Sequence, residues 1–96
     1  MFAEIDNGPF RAHFIEQRDA GRLTAAMVAR RLDWYRWKIR QGGRSWRPDA
    51  SRVTRVLGLR PAISHGKMRP PQQTFTYDVA VAMADALELD YTEAGV

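Results

Sequence analysis

Positive charge in this chain is gathered into one continuous stretch, and that limits how the chain can fold. Between Arg22 and Arg69 stand thirteen Lys or Arg residues against two acids, Asp33 and Asp49, a local net charge of +11. The rest of the chain holds two arginines, Arg11 and Arg18, and nine acids, a net of −7, so the formal total of +4 conceals a strong dipole. The block cannot neutralise itself, and burying unpaired charge is costly. Its basic side chains must spread over solvent-facing surface while the apolar residues between them turn inward. A dense cationic face on a small protein is the electrostatic footprint of a polyanionic partner.

Ninety-six residues make one domain. A hydrophobic content of 45% supports a compact core. At this size the core is modest, and self-association would add to it. Cysteine is absent, which excludes disulfides and thiolate metal sites and points to a reducing, cytoplasmic setting. Met1–Gly8 carries two acids and no apolar run, unlike a secretory signal. No stretch approaches the ~20 apolar residues that span a bilayer. The expectation is a soluble, intracellular protein with no membrane partner.

Asn7-Gly8-Pro9 opens the first helix, with Pro9 suited to a first helical position. Phe10, Phe14 and Ile15 form its apolar stripe, and Gly21 marks its end. Thr24 is the candidate N-cap of a second helix, Ala25 to about Asp33, with Met27, Val28 and Leu32 inward and Arg30 and Arg31 outward. From Trp34 the period changes. Tyr35, Trp37 and Ile39 alternate with Arg36, Lys38 and Arg40, Gln41-Gly42-Gly43 offers a turn, and Arg44–Arg47 can return. This predicts a basic β-hairpin over about 35–48. Asp49 or Ser51 caps a third helix with Val53, Val56 and Leu57 at i, i+3 and i+4 and Gly58 as its stop. Arg60–Phe75, rich in Gly and Pro, reads as a loop with room for a second short hairpin closing on Phe75. Thr76 caps the last long helix, whose inward set is Val79, Ala82, Met83, Ala86 and Leu87. The fold class expected is mainly α: a bundle of four or five helices with an inserted basic hairpin.

A helix-turn-helix needs a small residue where its two helices cross, a short turn, and polar side chains on the second helix. Ala29 supplies the first, and Leu32, Val53 and Val56 pin the pair. Leu23–Leu32, Asp49–Leu59 and Tyr77–Asp90 resemble the Cro/repressor-type helix-turn-helix family, in particular its small versions in actinobacteria and their phages. The resemblance implies a helix-turn-helix fold and an operator-binding role. Two departures stand out: Asp33 replaces the usual turn glycine, and the turn swells by the 35–48 segment.

Ser51, Arg52, Thr54 and Arg55 are the candidate base readers, since an arginine fork matches guanine O6 and N7. A phosphate contact or a solvated side chain is the plainer reading of each. Arg36, Lys38, Arg40, Arg44 and Arg47 are candidates to grip phosphates or enter a groove as a wing does. Thr24, Arg22, Arg60, Lys67 and Arg69 are secondary phosphate candidates. Trp34, Tyr35, Trp37 and Trp46 can stack unpaired bases, although packing the hairpin onto the core fits their alternation better. His13 and His65 have no neighbouring ligands, and Glu88, Asp90 and Glu93 lack a fixed ligand pattern. No metal, cofactor, small-molecule substrate or catalytic set is expected. The function expected is a sequence-specific, double-stranded DNA-binding transcriptional regulator, a phage- or prophage-type repressor acting as two copies on a two-fold operator. The alternatives are an excisionase-like architectural factor and a protein-interaction module with a basic face.

Overall fold

Apolar residues at helical spacing and three side-chain caps set most of the architecture. The computed structural model of the protein describes residues 4–32 and 49–90. Strand β1 (Glu4–Asp6) leads into helix α1 (Gly8–Asp19). Pro9 sits in the first turn of α1, where its missing N–H costs nothing. Phe10 and Phe14 are fully buried one turn apart. Helix α2 (Ala25–Arg31) begins at Thr24, whose hydroxyl accepts the Met27 N–H at 3.2 Å. Helix α3 (Ala50–Val56) begins at Asp49, whose carboxylate accepts the Arg52 N–H at 2.7 Å. Helix α4 (Tyr77–Leu87) begins at Thr76, whose hydroxyl accepts the Val79 N–H. All three caps are polar side chains that satisfy otherwise orphaned amides.

The end of α3 requires a glycine. Gly58 has φ +81°, its N–H reaches the Arg55 carbonyl at 3.1 Å, and the Leu59 N–H reaches the Thr54 carbonyl at 2.9 Å. This closure satisfies the last carbonyls of the helix through a left-handed residue.

Strands β2 (Pro61–Ser64) and β3 (Lys67–Pro71) form an antiparallel hairpin, and β4 (Thr74–Thr76) then runs antiparallel to β1. The registers are Ala62↔Arg69 and Ile63↔Met68 in the hairpin, and Ile5↔Phe75 in the second pair. His65 and Gly66 make the hairpin turn with φ of +52° and +74°. Positive φ at both central residues matches the right-handed twist of the strands.

These strands overturn the expected helical bundle. Among the described residues there are four helices and two small antiparallel sheets, a small α+β domain rather than a mainly-α bundle. Pro61, Pro70 and Pro71 cannot donate to a helical ladder, and the segment read as a loop with room for a second short hairpin forms that hairpin as a ribbon. Its exit then feeds β4 alongside β1, a strand too short to show a pattern of its own. The predicted hairpin over 35–48 lies outside the described residues.

Helix α4 is the centre of the core. Val79, Ala80, Ala82, Met83, Ala84, Ala86 and Leu87 are all buried, against α1, α2 and the β1–β4 sheet. The Phe75 ring meets Phe10 edge-on at 4.9 Å and joins the sheet to α1. Glu88, at φ +56°, ends the helix.

Asn7 is the one fully buried polar residue among those described. Its amide nitrogen donates to the Val56 carbonyl (3.1 Å) and the Gln72 carbonyl (2.8 Å), and its oxygen accepts from Arg11 Nη1 (3.0 Å). The same Arg11 nitrogen donates to the Leu57 carbonyl at 3.2 Å. A β-carbon on Gly58 would lie 2.4 Å from the Gln72 carbonyl oxygen and 2.7 Å from Arg11 Nη1. Asn7→Ala strands these buried groups and is expected to lower unfolding stability by on the order of 3 kcal/mol in urea titration. Gly58→Ala is expected to exceed the roughly 1–2 kcal/mol left-handed penalty, because the new methyl group also meets backbone.

Candidate nucleic-acid interface

Helix α3 has two unlike sides. Val53 and Leu57 are fully buried one turn apart and pin the helix against the core, where it packs on α2. At 100° per residue, Ser51, Arg52 and Arg55 fall on the opposite side. All three are half-buried. Thr54 sits between the two sides, and its hydroxyl donates to the Ser51 carbonyl at 2.9 Å. Of the four expected base readers, three share the outer side and the fourth is turned back on its own backbone.

Arg60 joins this group from beyond the helix. Its Nη1 donates to Ser51 Oγ at 2.8 Å, which brings it to the outer side of the helix. Burial holds the Arg52 pKa below the ordinary arginine value, the charge of Arg55 lowers it further, and Asp49 acts in the opposite sense. Arginine still keeps its proton at neutral pH. Arg52 is thus repelled by Arg55 and drawn by Asp49.

Arg52 and Arg55 also stand in a groove of about 430 Å³ between α3 and the strands, together with Glu4, Ala62, Ile63 and Thr74. The β2–β3 hairpin therefore rises from the wall of the groove that holds the arginines. All of β3 is exposed, including Lys67 and Arg69. No ion pair is formed by Lys67 or Arg69 with any described acid.

The remaining candidates divide. Arg22 lies in a separate cleft with His13, Gln17, Leu23, Arg31 and Glu88, and Arg31 approaches Glu88 at 3.8 Å. Thr24 is exposed, with its hydroxyl engaged as the α2 cap. His13 Nε2 donates to the Leu87 carbonyl at 3.0 Å, an ordinary packing contact. Arg36, Lys38, Arg40, Arg44 and Arg47, with Trp34, Tyr35, Trp37 and Trp46, lie outside the described residues.

Sequence reasoning missed the exposed apolar pair Ile63 and Met68 and the groove-lining Glu4 and Thr74. The available signal was the His65-Gly66 dipeptide between two short runs, which marks a two-residue turn. If Arg52, Arg55 and Arg60 repel one another, added sodium chloride raises the thermal midpoint of the wild type, and Arg55→Gln makes that rise smaller. A salt response identical in both proteins would show that the guanidiniums are already screened. No family model, curated protein or solved structure gives a significant match to this chain.

Proposed function

We propose that this protein is a sequence-specific, double-stranded DNA-binding transcriptional regulator. The observation that carries the reading is the grouping of Arg52, Arg55, Arg60 and Ser51 on the outer side of α3, beside a ribbon bearing Lys67 and Arg69. A helix with a core-pinned side and an arginine-rich outer side suits the major groove, where guanine offers two acceptors to one guanidinium. Basic side chains of the ribbon suit the flanking phosphates, which fix position without reading sequence. The regulator is a repressor of phage or prophage type in this reading. Two copies meet on a two-fold operator, since one short helix discriminates too little alone. An acidic protein is the competing partner for the same face. A stable complex with such a protein, together with no retention on DNA at physiological salt, would favour it.

The test is fragment selection from a random duplex pool, followed by titration of the enriched sequence across a salt series. Log affinity is expected to fall linearly with log salt, by about 0.9 for each phosphate neutralised. Arg52→Ala is expected to cost about 1–3 kcal/mol of discrimination at one base pair. Lys67→Ala and Arg69→Ala are expected to weaken all duplexes alike. Unchanged preference in Arg52→Ala removes that residue from base reading, and failure to enrich any motif removes sequence specificity.

A further inference from the structure

The β2–β3 hairpin carries two large apolar side chains that the fold itself does not use. Ile63 is 59% exposed and Met68 79% exposed. They are direct cross-strand partners. The two-residue turn makes the neighbouring Ser64↔Lys67 pair the closing hydrogen-bonded one. Ile63↔Met68 is then a non-hydrogen-bonded pair, whose side chains stand close on a single face. Lys67 and Arg69 flank Met68 in the chain, so they project from the other face. The ribbon thus presents an exposed apolar pair on one face and basic side chains on the other.

The surroundings point to an occupant. Arg52, Arg55 and Ile63 line one groove, Arg60 sits at the foot of the hairpin, Lys67 adjoins its turn, and Arg69 lies opposite Ala62. An apolar pair with Arg52 and Arg55 beside Ile63, and Lys67 and Arg69 on the reverse of the same narrow ribbon, fits a surface that is anionic at its rim and apolar within. The minor groove of DNA is such a surface: phosphates line its edges, and sugars and base faces lie inside. Strand addition by a second copy is poorly served, because Pro70 and Pro71 give β3 no N–H to donate along that length.

We propose that the β2–β3 hairpin is a DNA-bending arm, with Ile63 and Met68 wedged into the minor groove to unstack a base step and Lys67 and Arg69 holding the adjacent phosphates. Side chains of this kind kink a duplex by about 20–90° where they insert. The bend brings flanking backbone toward the basic face beside α3. This inference rests on the DNA-binding reading above and adds a mechanical function to it.

The experiment is ligase-catalysed circularisation of random-sequence duplexes shorter than the persistence length of about 150 base pairs. It is run with wild type, Met68→Ser, Ile63→Ser, Met68→Leu and Lys67→Ala, and affinity for the same duplexes is measured in parallel. Wild type is expected to raise circle yield at least about tenfold. Met68→Ser and Ile63→Ser should abolish the gain with only a severalfold loss of affinity. Met68→Leu, which keeps an apolar wedge, should retain it, and Lys67→Ala should lose binding and circles in proportion. Both serine sites are exposed, so unchanged thermal midpoints verify that folding is intact. Wild-type binding without added circles, or full circle yield in both serine variants, overturns the wedge and leaves DNA binding standing. Absence of duplex binding overturns both. A concentration-dependent dimer that Met68→Ser dissolves assigns the apolar pair to a second copy and overturns the wedge as well.

Discussion

The buried amide of Asn7 is the joint on which the arrangement of the interface depends. It ties three segments that are remote in sequence: the start of α1, the last turn of α3 at Val56, and the exit of the hairpin at Gln72. Buried polar groups are costly when unpaired and directional when paired. A hydrophobic contact at this point would hold the segments together without fixing their angles. The two donated bonds, and the Arg11 guanidinium that bridges Asn7 to Leu57, fix the end of α3 relative to the ribbon. Gly58 allows the closeness, since any β-carbon there would collide with the Gln72 carbonyl. The outer side of α3 and the hairpin are thereby held as one surface.

The charge pattern gains a spatial meaning from that joint. Arg52, Arg55 and Arg60 would repel one another in any fold that gathered them, and burial of Arg52 sharpens the effect. Stability alone gives no reason to collect them. The core offsets the cost through α4 and the Phe10–Phe75 contact. Arg22, by contrast, shares its cleft with Glu88. Among the described residues, then, the basic block is not one uniform face: Arg22 and Arg31 share a cleft with Glu88, while Arg52 and Arg55 share a groove with Glu4 beside the exposed ribbon.

Much of the helical framework was legible in the sequence. Thr24, Asp49 and Thr76 announced their helices because a short polar side chain before an apolar run has one obvious use. Gly58 announced a stop for an equally local reason, and the inward residues of α4 followed from period alone. The β1–β4 sheet was not legible. Glu4-Ile5-Asp6 is three residues long, and its pairing with Thr74–Thr76 is a long-range event that no local pattern encodes. The ribbon from Pro61 to Pro71 falls where the sequence left room for a second short hairpin, but its prolines, which argue against a central strand and permit an isolated hairpin, kept its strands from being read individually. The outward side of α3 was readable as far as Ser51, Arg52 and Arg55. Arg60 was placed only by its bond to Ser51, a contact that depends on how the chain leaves the helix. That the Thr54 hydroxyl bonds to a backbone acceptor within its own turn was not readable either.

Helix α4 buries residues over more than half of its circumference, and four of those seven are alanines. Each alanine lets a neighbouring element approach to backbone distance, so little spare volume surrounds the rod. Enlarging any one of them would push α1, α2 or the small sheet outward, with no slack to absorb the movement. The ribbon and the outer helix surfaces, by contrast, can change their side chains without loosening the frame.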